Sequence, residues 1–304
     1  MGNFTSTLTN IPPYWPKLEF SLFLFGEILS IPCYLFVFYH ILFDKTSRTS
    51  LHNHVIILLL FYNFLGVTID LSLTLDYARL GYVSLFFPSL CLIWQFVDNG
   101  IWYGGISLML WASFERHILI FHSNLIRTTR ARLFLHYIPL TFFTLYTPLL
   151  YFYLIFIYPC NLIAVRTTIR CGRVCYRNTI PMWFNFYDSF VNYSIPILLI
   201  VLFSSSFVFR FVQQKQRLKR IITWRQCRKM TIQLGLLSSI YLLFDLPYVI
   251  IFIVQTAGYP SFASNIISPY ISRLTFVPAI VLPYAILCAI PRLKQKLQNL
   301  FFCK

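Results

Sequence analysis

The stretch CLIWQFVDNGIWYGGISLMLWASFERH, residues 91–117, decides the fold of this chain. Its only charge before the closing Glu-Arg-His triplet is Asp98, so the segment is long and apolar enough to cross a bilayer as a helix. A carboxylate within such a segment is costly, which marks Asp98 as a functional or specifically paired residue. Gly100, Gly104 and Gly105 let neighbouring helices approach closely. The stretch therefore predicts a central helix of a membrane bundle.

Composition places the whole chain in a membrane. Of its 304 residues, 58% are hydrophobic and only 11% are charged, whereas about a quarter of the residues in a soluble domain are charged. The mean hydropathy is +0.69. The net charge of +16 would suggest nucleic acid as the partner of a soluble protein. Here the basic residues stand in loops between apolar segments, which indicates membrane topology and a cytoplasmic docking surface, with no nucleic acid.

Seven apolar segments predict an all-α integral membrane protein, a seven-transmembrane helix bundle. They lie at 18–43, 53–76, 91–115, 133–158, 186–211, 230–254 and 268–290. We expect a single seven-transmembrane domain over 1–304, with an extracellular tail at 1–17, the bundle at 18–290 and a cytoplasmic tail at 291–304. The tail at 1–17 is polar and has no basic leader, so we expect no cleavable signal peptide.

The distribution of basic residues predicts the orientation. Cytoplasmic loops of membrane proteins carry an excess of Lys and Arg. With the amino terminus outside, most of the 25 basic residues fall on the inner side. Those left on the outer side are Lys17, Arg79, Arg166, Arg170, Arg173, Arg177 and Arg273. The pattern therefore favours the amino terminus outside and the carboxyl terminus inside.

Several motifs stand in register with these segments. Cys91 begins the third segment 25 residues before Arg116 of the Glu-Arg-His triplet. The fifth segment carries Pro196, the sixth carries Phe-Asp-Leu-Pro at 244–247, and the seventh ends in Leu-Pro-Tyr-Ala-Ile at 282–286. In order and spacing these motifs resemble those of the rhodopsin-like (class A) G-protein-coupled receptors, over nearly the whole chain.

The chain is similar to a divergent member of that family, of the invertebrate orphan or chemosensory type. Asp245 stands where the family has its toggle tryptophan, and Leu282 and Ile286 stand where the seventh helix has asparagine and tyrosine. The resemblance implies a multi-pass receptor of the plasma membrane. Such a receptor turns binding of an extracellular ligand into activation of a heterotrimeric G protein.

The resemblance also assigns the residues that couple to the G protein. In the family, local ion pairing such as that of Glu115 with Arg116 holds the inactive state, and activation frees the arginine for the G protein. His117 completes the triplet, and Pro247 and Pro283 are expected to act as hinges in the sixth and seventh helices. The basic connector at 210–229 suits an acidic G-protein face and the anionic heads of membrane lipids.

The family pattern implies a disulfide from Cys91 to the second outer loop, where the partner is Cys171 or Cys175. Sequence does not decide between these two. The cysteine left over can form a second bridge within the loop, which also holds Cys160.

Three further expectations concern the chain ends. Asn3 begins an N-glycosylation sequon, Asn-Phe-Thr. A short amphipathic helix is expected after the seventh span, on the inner leaflet. Cys303 is a palmitoylation candidate.

Acidic residues within the spans suggest the ligand. In amine receptors of the family, the aspartate that pairs with the ligand ammonium stands at the position of Asp98, and Asp188 and Asp245 lie in segments expected to face the same cavity. The hypothesis is a cationic ligand, an amine or a basic peptide, with added cation–π attraction from aromatic neighbours. Those neighbours are Trp102, Tyr248 and Phe276.

An internal salt bridge is the alternative to a cationic ligand. Arg273 lies in the outer half of the seventh segment, and it can neutralise Asp98, Asp70 or Asp245 with no ligand at all. Both interpretations remain open at this point.

Other classes of function fit less well. No nucleophile–base arrangement, phosphate-binding glycine loop or metal-ligand spacing is visible, so we expect neither an enzyme nor a cofactor. A small membrane carrier that uses intramembrane carboxylates is one alternative, although the odd number of spans and the lack of an inverted repeat disfavour it. A receptor-like decoy that no longer signals is the other.

Overall fold

The computed structural model describes residues 15–45, 51–160, 164–217, 222–256, 258–259, 261–263 and 271–289. Helices and the turns that join them make up this part of the chain, and it contains no strand. Outside the described residues lie the first fourteen residues of the predicted tail at 1–17, the helix expected after the seventh span, Asn3 and Cys303.

Within these described ranges seven helical rods form one bundle, which confirms the predicted fold class. They are α1 (Trp15–Phe43), α2 (51–80), α3 (88–121), α4 (129–157), α5 (182–217), α6 (Ile222–Thr256) and α7 (272–289). α3 begins three residues earlier than predicted because Pro88 occupies its first turn, where proline is favoured. α6 begins eight residues before the predicted 230, since its basic first turns continue the helix beyond the apolar stretch.

Most of these rods are long and apolar enough to cross a membrane. Five meet this description by length and composition: Lys17–Phe43, Asn53–Leu80, Thr129–Ile157, Met182–Phe207 and Ser238–Gln255. The apolar helix Ser272–Cys288 is shorter. α3 is not among the five, because polar side chains such as Gln95, Asp98 and Asn99 lower its hydropathy. Gln95 and Asn99 are buried against neighbouring parts of the protein.

α3 stands at the centre of the bundle. It packs against α2, α4, α5 and α6, while α1 closes the ring by packing against α2 and α7. Leu108 and Met109 on α3 are fully buried. The approach to α2 is closest at Gly104, where a Cβ atom would overlap the Tyr62 ring. The glycines of α3 thus permit the close packing that places its polar residues inside.

In the part of the chain that the structure describes, wide π-helical turns of five or six residues interrupt α2, α3, α4 and α5. Such turns insert an extra residue into an α-helix and occur frequently at functional sites. Asp70 and Asp98 both lie in one of them, on neighbouring helices. The π-helical turns are Gly66–Leu71, Val97–Ile101, Leu133–Tyr137, Tyr153–Ile157 and Phe190–Ser194.

A loop at 164–181, called here the disulfide loop, covers one end of the bundle. Cys91–Cys171 ties it to α3, and Cys160–Cys175 ties it to the end of α4. The first of these is one of the two pairings that the sequence left open. We call this end of the bundle the disulfide end, and the opposite end the Glu115 end.

Candidate functional site

A polar cavity of about 150 Å³ opens at the disulfide end. Of the six predicted ligand residues, Asp98, Trp102, Tyr248 and Phe276 line it. The remaining lining residues are Asp70, Asn99, Tyr103, Arg170, Arg177, Ser272 and Thr275. The cavity therefore joins α2, α3, α6 and α7 to the disulfide loop.

Arg170 reaches from the disulfide loop onto the two carboxylates of this cavity. Its Nη2 lies 2.9 Å from Oδ1 of Asp98, and its Nε lies 3.9 Å from Oδ1 of Asp70. Asp70 is buried, and it also accepts a 2.8 Å hydrogen bond from the Trp94 indole. Burial lowers the pKa of the Arg170 guanidinium, but the charges of Asp98 and Asp70 outweigh it and raise that pKa above its ordinary value. The guanidinium therefore stays charged.

The backbone of the disulfide loop is held in the conformation that presents Arg170. Arg170 and Cys171 have φ values of 57° and 56°, the left-handed region that residues other than glycine rarely adopt. Cys171 is bonded to Cys91, and Gln95 Nε2 donates hydrogen bonds to the carbonyls of Arg170 at 3.1 Å and Gly172 at 3.5 Å. Covalent and hydrogen bonds to α3 thus stabilise an otherwise unfavourable backbone.

Asp188, the second carboxylate of the predicted ligand set, has other partners and does not line this cavity. It is fully buried in the first helical turns of α5, where it accepts hydrogen bonds from the Tyr151 hydroxyl, from Asn192 Nδ2 at 3.0 Å and from the Tyr176 hydroxyl at 3.3 Å. Arg177 Nη2 lies 3.4 Å from its Oδ2. These donors anchor α5 to α4 and to the disulfide loop.

Asp245, the third carboxylate, does not line this cavity either. Its side chain is buried in α6, 1% exposed, and its Oδ1 has no hydrogen-bond donor within the described part of the chain. The structure therefore does not bring Asp98, Asp188 and Asp245 to one cavity. Asp98 pairs with Arg170 and Asp188 pairs with Arg177, while Asp245 is buried on a third helix, α6.

The expected role of Arg273 needs correction. Its Nη1 lies 2.8 Å from Oε2 of Glu19 on α1, not beside Asp98, Asp70 or Asp245. The reason is that α7 packs against α1, which turns Arg273 toward that helix. The internal cation beside Asp98 and Asp70 comes from Arg170 instead.

At the Glu115 end, the first residue of the triplet has an unexpected partner. The Glu115 carboxylate pairs with Nδ1 of His136 on α4, and Nε2 of the same ring lies 3.1 Å from Nδ1 of His54 on α2. Arg116 is buried beside this group, 4% exposed. His117 Nε2 lies 2.8 Å from the carbonyl of Phe203 on α5. The triplet thus contacts α4 and α5 directly, and His136 connects it to α2.

The predicted hinge prolines lie within continuous helices. Pro247 is exposed on α6, and Pro283 is buried on α7 next to the fully buried Leu282. Each removes one backbone donor from its helix.

Three residues of these sites were not predicted from sequence: Arg170, Arg177 and His136. The two arginines contributed only to the prediction of membrane orientation, although Arg170 directly precedes Cys171, a disulfide candidate. His136 is an ionisable residue close to the start of an apolar span, and such residues commonly have a specific partner. That signal was sufficient to find His136.

Comparisons with known proteins agree with the seven-helix fold described above. The family model for "7 transmembrane receptor (rhodopsin family)" matches residues 35–285. Among solved structures, squid rhodopsin is similar at 17% sequence identity and a TM-score of 0.64, with 96% of this chain and 89% of that chain covered. No curated protein sequence matches. The family match spans most of the chain, and the chain therefore belongs to the rhodopsin family of seven-transmembrane receptors.

Proposed function

We propose that this chain is a plasma-membrane receptor that turns binding of an extracellular ligand into activation of a heterotrimeric G protein. The observation that carries the proposal is that one helix, α3, holds both the polar cavity and the buried triplet. Asp98 and Glu115 are 17 residues apart, which is roughly 26 Å along a helix. A change of packing around α3 at one end therefore reaches the other end through a single rigid element.

The proposed coupling step is exposure of the triplet. Glu115 and Arg116 are 2% and 4% exposed, so the described state keeps them away from a protein partner. A ligand that favours a second arrangement of the bundle would shift the population toward exposed Arg116. Pro247 and Pro283 supply the positions at which α6 and α7 bend.

Charge at the disulfide end supports a ligand with one positive charge. Two carboxylates of the cavity lining, Asp70 and Asp98, share one guanidinium group, that of Arg170, while Arg177 pairs with Asp188, which lies outside the lining. One negative charge is left without a counterion among Asp70, Asp98 and Arg170. An ammonium or guanidinium of an amine or a basic peptide would neutralise it in a site of low dielectric. The rings of Trp102 and Tyr248 in the cavity lining would add cation–π attraction.

Two observations support the proposed orientation. Two disulfides lie at the same end of the bundle, and disulfides persist in oxidising surroundings such as the cell exterior. The excess of Lys and Arg in the loops at the Glu115 end is typical of the cytoplasmic side. We therefore assign the disulfide end to the exterior and the Glu115 end to the G protein.

The test is G-protein activation in a heterologous cell that expresses a broadly coupling Gα. Wild type, Arg116→Ala and Asp98→Asn are compared, first without ligand and then with a panel of amines and basic peptides. We expect a ligand response that Arg116→Ala abolishes and that Asp98→Asn weakens at least about tenfold, the equivalent of 1.4 kcal/mol.

The same cells separate the other functions. Uptake of a panel compound without nucleotide exchange would support a carrier. Surface protein with equal basal signal in all three variants and no response would support a decoy. An amine response that is unchanged in Asp98→Asn would overturn the cationic ligand while leaving the receptor intact.

A further inference from the structure

We propose that Arg170 is a built-in occupant of the ligand cavity. Its guanidinium fills the cation subsite between Asp98 and Asp70, and a small guanidinium compound binds there only when the Arg170 side chain is shortened or withdrawn. The inference rests on the proposed function, because it assigns a ligand class and a regulatory contact to the same cavity.

The first argument is the geometry of the subsite. Asp98 and Asp70 lie on two neighbouring helices, each in a π-helical turn. The guanidinium contacts both, at 2.9 Å and 3.9 Å. Its planar set of N–H donors matches carboxylate geometry better than an ammonium does. The subsite is therefore shaped for a guanidinium, and Arg170 supplies one from a loop rather than from the bundle.

The second argument is that the loop is built to deliver this side chain. The left-handed backbone at Arg170 and Cys171 is unfavourable for both residues. The disulfide to Cys91 and the two hydrogen bonds from Gln95 hold it nonetheless. A backbone that is strained and held from several sides is typical of a functional position. Here its effect is to place a charge against Asp98.

The third argument is that the contact is accessible. The side chain of Arg170 is 34% exposed and that of Asp98 is 19% exposed, whereas Asp188, the partner of Arg177, is 1% exposed. The Arg170 Nε is enclosed and has no hydrogen-bond acceptor within the described residues. The guanidinium is therefore incompletely satisfied and faces an open cavity, so a competing cation can reach the carboxylate.

The ligand class follows from these contacts. The competitor needs a guanidinium or a similar compact cation to replace Arg170 between two carboxylates. A short apolar stem is required, because the cavity of about 150 Å³ is small. Aromatic lining from Trp102 and Tyr248 suits such a stem. Free ligand must compete with a cation held at the site by the chain itself, which lowers its apparent affinity.

Chemical complementation tests the proposal. Arg170→Ala removes the part of the side chain that ethylguanidinium reproduces. Wild type, Arg170→Ala and the double variant Arg170→Ala/Asp98→Asn are purified in lipid nanodiscs, and the melting temperature is measured with millimolar ethylguanidinium or its neutral counterpart, ethylurea. A compound that binds only the folded state raises that temperature.

We expect ethylguanidinium to stabilise Arg170→Ala at a concentration at least about tenfold lower than wild type requires. Ethylurea should have no effect, and the double variant should not respond. Arg173→Ala is the matched control, since Arg173 is an exposed arginine of the same loop. Its response should equal that of wild type.

Two results would overturn the proposal. One is equal stabilisation of wild type and Arg170→Ala, and the other is stabilisation that persists in the double variant. If Arg170→Ala does not fold, Arg170→Gly, which suits the left-handed backbone at this position and also leaves the subsite empty, is measured in the same way; failure of ethylguanidinium to stabilise it would also overturn the proposal. This assay measures binding to the purified protein without a G protein. Its result is therefore independent of whether the protein activates a G protein in cells.

Discussion

The carboxylate of Glu115 on α3 pairs with the imidazole of His136 on α4, and both side chains are almost fully buried. Because the other nitrogen of His136 lies 3.1 Å from His54 on α2, three helices meet at one polar contact. Through His136, Glu115 is therefore tied to α4 and, one contact further, to α2.

Replacing His136 should loosen the Glu115 end. His136→Ala leaves a buried carboxylate without this partner, which costs about 1–3 kcal/mol of unfolding free energy. We expect a lower melting temperature of the purified protein and, in the cell assay, a higher basal rate of nucleotide exchange. His122→Ala is the control, because His122 is exposed at the same end. Equal melting of the two variants would contradict a stabilising Glu115–His136 pair.

The two disulfides should contribute unequally to the free energy of unfolding. Cys91–Cys171 closes a separation of 80 residues and Cys160–Cys175 one of 15, which a chain-entropy argument converts to about 4.5 and about 3 kcal/mol. Paired Cys→Ser variants of each bridge are compared by thermal unfolding. We expect the larger loss when Cys91 and Cys171 are replaced. The reverse order would indicate that loop length does not set the contribution.

Asp188 should act as a structural residue rather than as a ligand contact. Asp188→Asn removes a buried charge that accepts bonds from Tyr151, Tyr176 and Asn192 and leaves Arg177 uncompensated, at a cost of about 3–5 kcal/mol. Asp98→Asn should cost less, since Asp98 is partly exposed. Thermal unfolding of both variants measures the difference. A larger loss for Asp98→Asn would assign the structural role to Asp98.

The interior of α6 should tolerate the loss of its carboxylate. In Asp245→Leu, an apolar side chain of similar size replaces a buried group with an unpartnered oxygen, so we expect an unchanged or higher melting temperature. Asp70→Leu is the matched control, because Asp70 accepts the Trp94 bond and faces Arg170, and it should melt lower. Strong destabilisation by Asp245→Leu would reveal a partner that Asp245 needs.

Two adjacent glycines of α3 should respond differently to the same change. In Gly104→Ala the new methyl group would overlap Tyr62 and lie 3.0 Å from Thr147 Oγ1, whereas in Gly105→Ala the nearest atom is 3.8 Å away. We expect Gly104→Ala to lower the unfolding free energy by about 1–3 kcal/mol and Gly105→Ala to be nearly neutral. Similar melting of both variants would mean that α2 and α3 are less closely packed here.

The fold was predictable because its signals are local. Long apolar runs have few alternatives to helices in a membrane, and the spacing from Cys91 to Arg116 set the register of α3. Asp98, Trp102, Tyr248 and Phe276, which the resemblance to the family suggested as ligand residues, line one cavity, and their role in ligand binding stays a prediction.

The partners of the charged residues were less predictable, since they depend on distant parts of the chain. Arg170 meets Asp70 across 100 positions, through a loop whose shape depends on a disulfide and a left-handed backbone. Arg273 turned toward Glu19 because α7 packs against α1. Neither contact has a local sequence signal, because each depends on how distant segments pack in the folded chain.

The π-helical turn at Val97–Ile101 also has an evolutionary consequence. It contains one residue more than an α-helical turn needs, so deleting a single codon there would not have to break the helix. Removing that residue converts the wide turn into an ordinary α-helical turn, so the helix before it and the helix after it keep the faces that they present to the bundle. Because Asp98 lies in the turn itself, one deletion changes the lining of the polar cavity while Glu115 and its partners keep their positions.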